Sequence, residues 1–178
     1  MTTRTPTELL REEHRIILAG LDVLEGAAVR LRGGGGLPER LWPSLLAFFK
    51  AFADRNHHAK EENALFPAMI KAGVPGPGGP IDVMLEEHEQ GRGLLRAMDA
   101  AGAPAERATL AERYVTLLRE HIDKENGIVF PLADAVLDPP AQSALQRDFD
   151  AVEAELGIAA SPDAAERTVK DLAASLAG

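Results

Sequence analysis

A chain of 178 residues that is 46% hydrophobic and 26% charged has the makeup of one globular domain with a buried core, which excludes disorder. A formal net charge of -9 excludes the clustered Lys and Arg of a nucleic-acid footprint, and the absence of cysteine excludes disulfides, thiolate metal sites and thiol nucleophiles. No apolar run approaches the roughly 20 residues of a membrane helix, and MTTRTPTELLREEHR lacks the apolar segment of a secretory signal, so no membrane contact and a cytoplasmic location are expected.

Ala, Leu, Glu and Arg dominate, and apolar residues recur at spacings of three and four rather than two. The expected fold is therefore all-α, with neither strands nor a phosphate-binding loop. A first helix is expected from Thr7, as N-cap, to Leu31, where GGGG at 33–36 ends it. A second runs from Pro38 or Pro43 to Lys71. The segment AGVPGPGGP, Ala72 to Pro80, is too rich in Gly and Pro for either regular structure and separates two similar halves. A third helix is expected over 81–101, AGAP turns the chain, and a fourth spans 104–137. After DPP at 138–140 come segments 141–156 and, following the cap-like SPD at 161–163, 163–177. The sum is a four-helix up-down bundle over 1–137 with a C-terminal helical extension over 138–178. Leu145, Phe149, Val152 and Leu156, then Val169, Leu172 and Leu176, form apolar stripes that suit the bundle or a partner subunit, so a homodimer through these helices is one of two arrangements.

Two of the chain's 5 histidines stand side by side in HHAKEENALFP, His57 to Pro67. The second half repeats this as HIDKENGIVFP, pairing His57 with His121, Lys60 with Lys124, Glu61 with Glu125, Phe66 with Phe130 and Pro67 with Pro131. The repeat selects His57 over His58 and Glu61 over Glu62. An α-helical wheel, at about 100° per residue, agrees: it sets His57 and Glu61 on the face of Leu46, Ala53, Ala64 and Ala68, with Glu62 nearly opposite. His121 and Glu125 fall with Leu110, Leu117, Ile128 and Leu132. An upstream repeat relates LREEHRII around His14 to MLEEHEQG around His88, each histidine on its helix's apolar stripe.

Each of four helices thus aims one histidine inward, and two add a glutamate one turn later. A single such histidine reads most simply as a hydrogen-bonded core residue, and surface stripes of Glu and His are a further alternative. Buried carboxylates, however, cost several kcal/mol each unless a charge opposes them. A pair of divalent cations supplies that charge. Four imidazoles, two bridging carboxylates and a bridging solvent oxygen leave about two of the roughly twelve positions on two six-coordinate ions for a small ligand.

In EEH, HHAKEENALFP, EEH and HIDKENGIVFP, in that order over about residues 7–137, the chain resembles hemerythrin-like HHE cation-binding domains. The resemblance implies a four-helix bundle holding two non-haem iron ions with a bridging oxo or hydroxo group. It implies His14, His57, Glu61, His88, His121 and Glu125 as ligands; chain order then assigns His14 and His57 to one iron and His88 and His121 to the other, with Glu61 and Glu125 bridging. Oxygen-carrying hemerythrins place a second histidine one turn after the one matching His88; here that residue is Arg92. Their last motif is His then Asp at i+5, where this chain has His121 and Glu125 at i+4. One iron is thus expected to lack an imidazole, which suits reaction with O2, NO or peroxide better than reversible oxygen carriage. The pattern is more similar to bacterial iron-centre repair proteins, which implies a further bridging role for Glu87, next to His88. Such proteins usually carry a cysteine-containing N-terminal domain, which is expected to be missing here.

The function expected from this resemblance is peroxide decomposition or gas and redox sensing in a stress response; the alternative is a non-catalytic iron-binding, storage or iron-sensing module. Glu13 is expected behind the ligands or in solvent, His58 partly exposed, and Tyr114 in the core or as an outer hydrogen-bond donor. Gly91 reads either as room above the metals or as close helix packing. Pro67 and Pro131 are expected to end or kink their helices.

Overall fold

Thr5 starts the first helix. Its side chain accepts from the Glu8 N–H while its own N–H donates to the Glu8 carboxylate at 2.7 Å, a reciprocal capping box, and helix α1 then runs Pro6–Arg32. The cap lies two residues ahead of the expected Thr7 because Thr7 is buried, its hydroxyl donating to Asp134 at 2.6 Å. The computed structural model describes residues 4–157 and 161–178, so the first three residues of the expected 1–137 domain lie outside the described residues.

From Leu41 to Lys71 the chain is helical without a break. Helix α2 (Leu41–Phe48) passes into π-helical stretches at Phe49–His58 and Glu61–Leu65, and ordinary winding resumes as α3 (Phe66–Lys71). Helix α4 spans Pro80–Ala100. Helix α5 (Pro104–Lys124) meets a third π-helical stretch at Glu125–Val129 and continues as α6 (Phe130–Val136). Two of these stretches end two residues before a proline. Pro67 and Pro131 have no N–H to give, and a proline ring crowds the carbonyl four residues back. The chain accommodates each by widening one turn: the Phe66 N–H reaches the Glu61 carbonyl and the Phe130 N–H reaches the Glu125 carbonyl. Neither proline ends its helix.

Four rods result: α1, α2 with α3, α4, and α5 with α6. They pack as an all-α bundle with no strand among the described residues, α1 and α4 both lying along α5. Helix α7 (Pro139–Leu156) is capped by Asp138, which accepts from the Ala141 N–H at 2.8 Å, and α8 (Pro162–Ala177) by Ser161. Both lie on the chain's own bundle. Ala165, Val169 and Leu172 of α8 pack with α1 and α2, while Leu145 and Phe149 of α7 join Leu65, Met69 and Phe130. Of the two arrangements expected for these stripes, packing on the chain's own bundle accounts for Leu145, Phe149, Val169 and Leu172, while Val152, Leu156 and Leu176 are partly exposed. No helix among the described residues is long and apolar enough to cross a membrane.

The core comes in two apolar clusters, and every rod contributes to both. Along α1 the order is Leu10, then His14, then Ile17. Along the second rod it is Ala53, His57 and Glu61, then Leu65; along α4, Met84, His88, Leu95; along the fourth, Leu118, His121 and Glu125, then Val129. In each pair the flanking apolar residues belong to different clusters. A polar layer therefore crosses the middle of the bundle with hydrocarbon on both sides.

Candidate metal centre

All 5 histidines are buried, together with Glu13, Asn56, Lys60, Glu61 and Glu125. Their donor atoms gather in two groups, one of His14, His57, Glu61 and Glu125 and one of His58, Glu61, His88 and His121, with the donor atoms of each group within 4.8 Å of one another. The two carboxylates span the groups. Glu61 turns Oε1 toward His57 Nε2 at 3.5 Å and Oε2 toward His88 Nε2 at 3.4 Å. Glu125 turns Oε2 toward His14 Nε2 at 3.0 Å and Oε1 toward His121 Nε2 at 3.2 Å. His88 Nε2 and His121 Nε2 approach to 3.0 Å.

Four imidazoles are held from behind through Nδ1. His57 Nδ1 meets Glu13 Oε2 at 2.9 Å, His121 Nδ1 meets Glu87 Oε2 at 2.9 Å, His88 Nδ1 meets Glu62 Oε1 at 2.7 Å, and His14 Nδ1 meets Asn126 Oδ1 at 2.9 Å. The internal repeat explains the pattern. The acid before each upstream histidine, Glu13 or Glu87, crosses to the downstream histidine of its half, while the residue after each inward glutamate, Glu62 or Asn126, holds an upstream histidine of the other half. A partner on Nδ1 fixes ring orientation and leaves Nε2 to face the centre.

Two sequence expectations are corrected here. Glu87 joins neither group: its carboxylate is taken by His121 Nδ1 and Lys124, behind the imidazole. A helix turns about 100° per residue, so Glu87 and His88 cannot both face the layer. His58 is buried rather than partly exposed, stacks on His88 with ring centroids 3.9 Å apart and planes at 16°, and supplies the third imidazole of its group. The group beside His88 is thus not an imidazole short. His57 and His58 both turn inward because they end the π-helical stretch Phe49–His58, whose wider turns do not follow an α-helical wheel. One signal was available: the residue matching His58 in the second half is Ile122, an apolar residue that is itself buried. The same wheel misplaces Ile128, expected inward but 59% exposed, since it too lies in a π-helical stretch.

Arg92, at the position of the hemerythrin histidine, points outward to hold Asp54 at 2.8 Å and Glu62 at 2.5 Å, the acids behind His58 and His88. Tyr114 belongs to the larger apolar cluster, its ring edge-on to Phe49. A Cβ added at Gly91 would lie 3.7 Å from the Tyr114 ring, an ordinary contact, so helix packing does not require that glycine.

Electrostatics divide the layer. Burial pushes the Glu61 carboxyl well up, and the nearby Glu125 pushes it further. Burial also acts to raise Glu125, but His121 and His14 overcome it and hold that carboxylate well below its ordinary range. Burial lowers His57 strongly, His88 less so, and His58 to about 3, with neighbouring imidazoles adding to each. His121 is the exception: burial opposes its charge, yet Glu125 and Glu87 drive it up to about 9.

The donors fit metal cations on their own geometry. His14 Nε2, His57 Nε2 and both oxygens of Glu61 and of Glu125 are buried and have no hydrogen-bond partner among the described residues. Unpaired buried polar atoms cost free energy, and a coordinated cation satisfies several at once. Donors about 2.1 Å from one ion and at right angles lie about 3 Å apart, close to the shorter separations here. Imidazole with carboxylate suits iron, manganese or zinc.

The family model described as "Hemerythrin HHE cation binding domain" matches residues 5–133. The iron-sulfur cluster repair protein YtfE of Enterobacter sp. (strain 638) is 37% identical over 90 residues, covering 44% of this chain and 40% of the relative. The protein of the same name from Escherichia coli O81 (strain ED1a) gives the same identity and coverage. The match therefore spans two fifths of the length of these relatives. No solved structure matches significantly.

Proposed function

This chain belongs to the hemerythrin HHE cation-binding family, and from that premise we propose that it is a non-haem di-iron protein that binds or reacts with O2, NO or peroxide. One iron would be held by His14, His57, Glu61 and Glu125, and the other by His58, His88 and His121 with the opposite oxygens of the two glutamates. The observation that carries this reading is the pair of buried carboxylates, each with one oxygen toward each imidazole group and neither oxygen otherwise engaged.

The iron pair, when bound, supplies the electrons for reduction of a small oxidant. The chain's own contributions are positional and electrostatic. Glu13, Glu62, Glu87 and Asn126 fix the ring orientations. The two apolar clusters keep bulk water from the layer, where charges interact more strongly than in water. The line His121, Glu87, Lys124 runs from the layer to a half-exposed ammonium group and can pass a proton between solvent and the edge of the site. A fifth imidazole occupies one of about two coordination positions otherwise open, which favours a diatomic or peroxide ligand over anything larger. A groove of about 690 Å3 near Pro67, Lys71, Leu137 and Asp148 includes none of the site's imidazoles or carboxylates. The relatives' names, iron-sulfur cluster repair, support a stress-response role; peroxide decomposition or gas and redox sensing is the activity we propose within it.

A second reading, a non-catalytic iron-binding or iron-sensing module, is favoured by the depth of the layer: every candidate ligand is at most 4% exposed, so occupancy and bundle stability are tightly linked. Hydrogen peroxide consumption separates the two. Turnover proportional to bound iron, lost in Glu61→Ala with Glu125→Ala, supports reaction. A large rise in Tm on iron loading without turnover supports the module.

A further inference from the structure

We propose that α7 locks one of the two metal positions, acting through Glu153 on Lys60, Glu13 and His57, and so makes the two positions release metal at different rates. The inference rests on the two-metal reading above, but its observations lie mostly outside the imidazoles.

The repeat gives each half the same trio: Glu13, His57 and Lys60 in the first, Glu87, His121 and Lys124 in the second. Their surroundings differ. The Lys124 side chain is 39% exposed, and Glu87 is its carboxylate partner among the described residues. The Lys60 side chain is 1% exposed and has a second carboxylate, Glu153 Oε1, at 2.5 Å, with the Phe149 ring centroid 5.8 Å away. Glu153 and Phe149 both come from α7, beyond the residues 5–133 matched by the family.

Lys60 and Asn56 both donate to Glu13 Oε1, at 2.5 and 2.9 Å, while Glu13 Oε2 holds His57 Nδ1. The Nδ1 contact of His57 therefore depends on where Glu13 sits, and Glu13 is held by Asn56 and by a buried lysine that lies between two acids. Glu153 fixes the far side of that lysine. Without it, an ammonium group with one buried partner gains hydration by swinging outward, and the movement draws Glu13 from the imidazole. Among the described residues the second trio has no such bolt, and it opens to water at Lys124. Metal beside His57 would consequently be backed by a three-layered support whose lysine is buried, and metal beside His121 by one whose lysine reaches water.

The test loads the full chain anaerobically with Co(II) and follows its visible absorption after addition of excess chelator. The unsubstituted chain is expected to take up two ions and release them in two phases. Glu153→Gln and Glu153→Ala should accelerate the slower phase by about ten- to a hundred-fold, the usual cost of losing support behind a ligand, and leave the faster phase unchanged. Glu155→Ala, an exposed acid on the same helix, should alter neither, and Lys124→Ala should alter the faster phase alone. Equal acceleration of both phases by the Glu153 substitutions would show that α7 merely pins the bundle and would overturn the inference, as would no change in either. Uptake of fewer than two ions by the unsubstituted chain overturns the two-metal reading and the inference with it.

Discussion

His121 in the metal-free chain carries a proton that it must surrender to bind a cation, because Glu125 and Glu87 hold it up to about 9 against burial. Glu61 is likewise pushed well up, by burial and by Glu125. Metal loading at pH 7 should release a proton from His121, measurable in weakly buffered solution with a pH indicator. Both groups are raised above their unfolded values, so both favour folding at low pH and lose that contribution as pH rises. Between the ordinary histidine value of 6.5 and about 9 the Tm of the metal-free chain should fall, while the loaded chain, whose ligands are already deprotonated, should not follow it. Substitutions sharpen the residue assignments. His58→Ala should leave one metal tightly held and the other weakened by more than about a hundred-fold, since it removes a ligand rather than its support; retention of both ions would return His58 to a packing role beside His88. Glu61→Leu removes an unpaired buried carboxyl and should raise metal-free stability by about 1–3 kcal/mol in denaturant unfolding, while abolishing uptake of the second ion.

Among the helices, the ones with strong periodicity and clear punctuation were legible from the chain: the glycine run after α1, the break at 72–80, the DPP boundary at 138–140 and the cap at 161 follow from local chemistry. The π-helical stretches were not. An apolar repeat read at one fixed angle cannot report a turn widened by a proline, and the same assumption hid His58 and turned Ile128 inward. His14, His57, Glu61, His88, His121 and Glu125 were legible because the sequence states them twice. Glu87 was harder, since the repeat places it beside a ligand but does not say that it serves a different histidine. Gly91 offers a prediction at this scale. Its added Cβ would meet Tyr114 at 3.7 Å and Leu118 at 4.0 Å, without a clash, so Gly91→Ala should stabilise the chain by about 0.5–1 kcal/mol through helix propensity. A loss of stability, or an altered ligand-binding spectrum in the loaded protein, would instead mean that the glycine keeps space for a ligand.

The whole molecule is a pair of apolar clusters separated by a polar layer, tied by four rods that pass through all three. Such an arrangement is costly without a compensating charge, and the layer combines five imidazoles with two carboxylates that have no hydrogen-bond partner among the described residues, in a chain whose formal net charge is already -9. Two divalent cations would bring four positive charges to the one place where hydrocarbon encloses acids. The most direct test is elemental analysis of the full chain, purified without a metal-affinity tag and reconstituted anaerobically with Fe(II). About two irons per chain, falling to none in Glu61→Ala with Glu125→Ala, is the result this account predicts. No bound metal, or a single ion unaffected by those substitutions, would contradict it and leave the five histidines as parts of a hydrogen-bonded core.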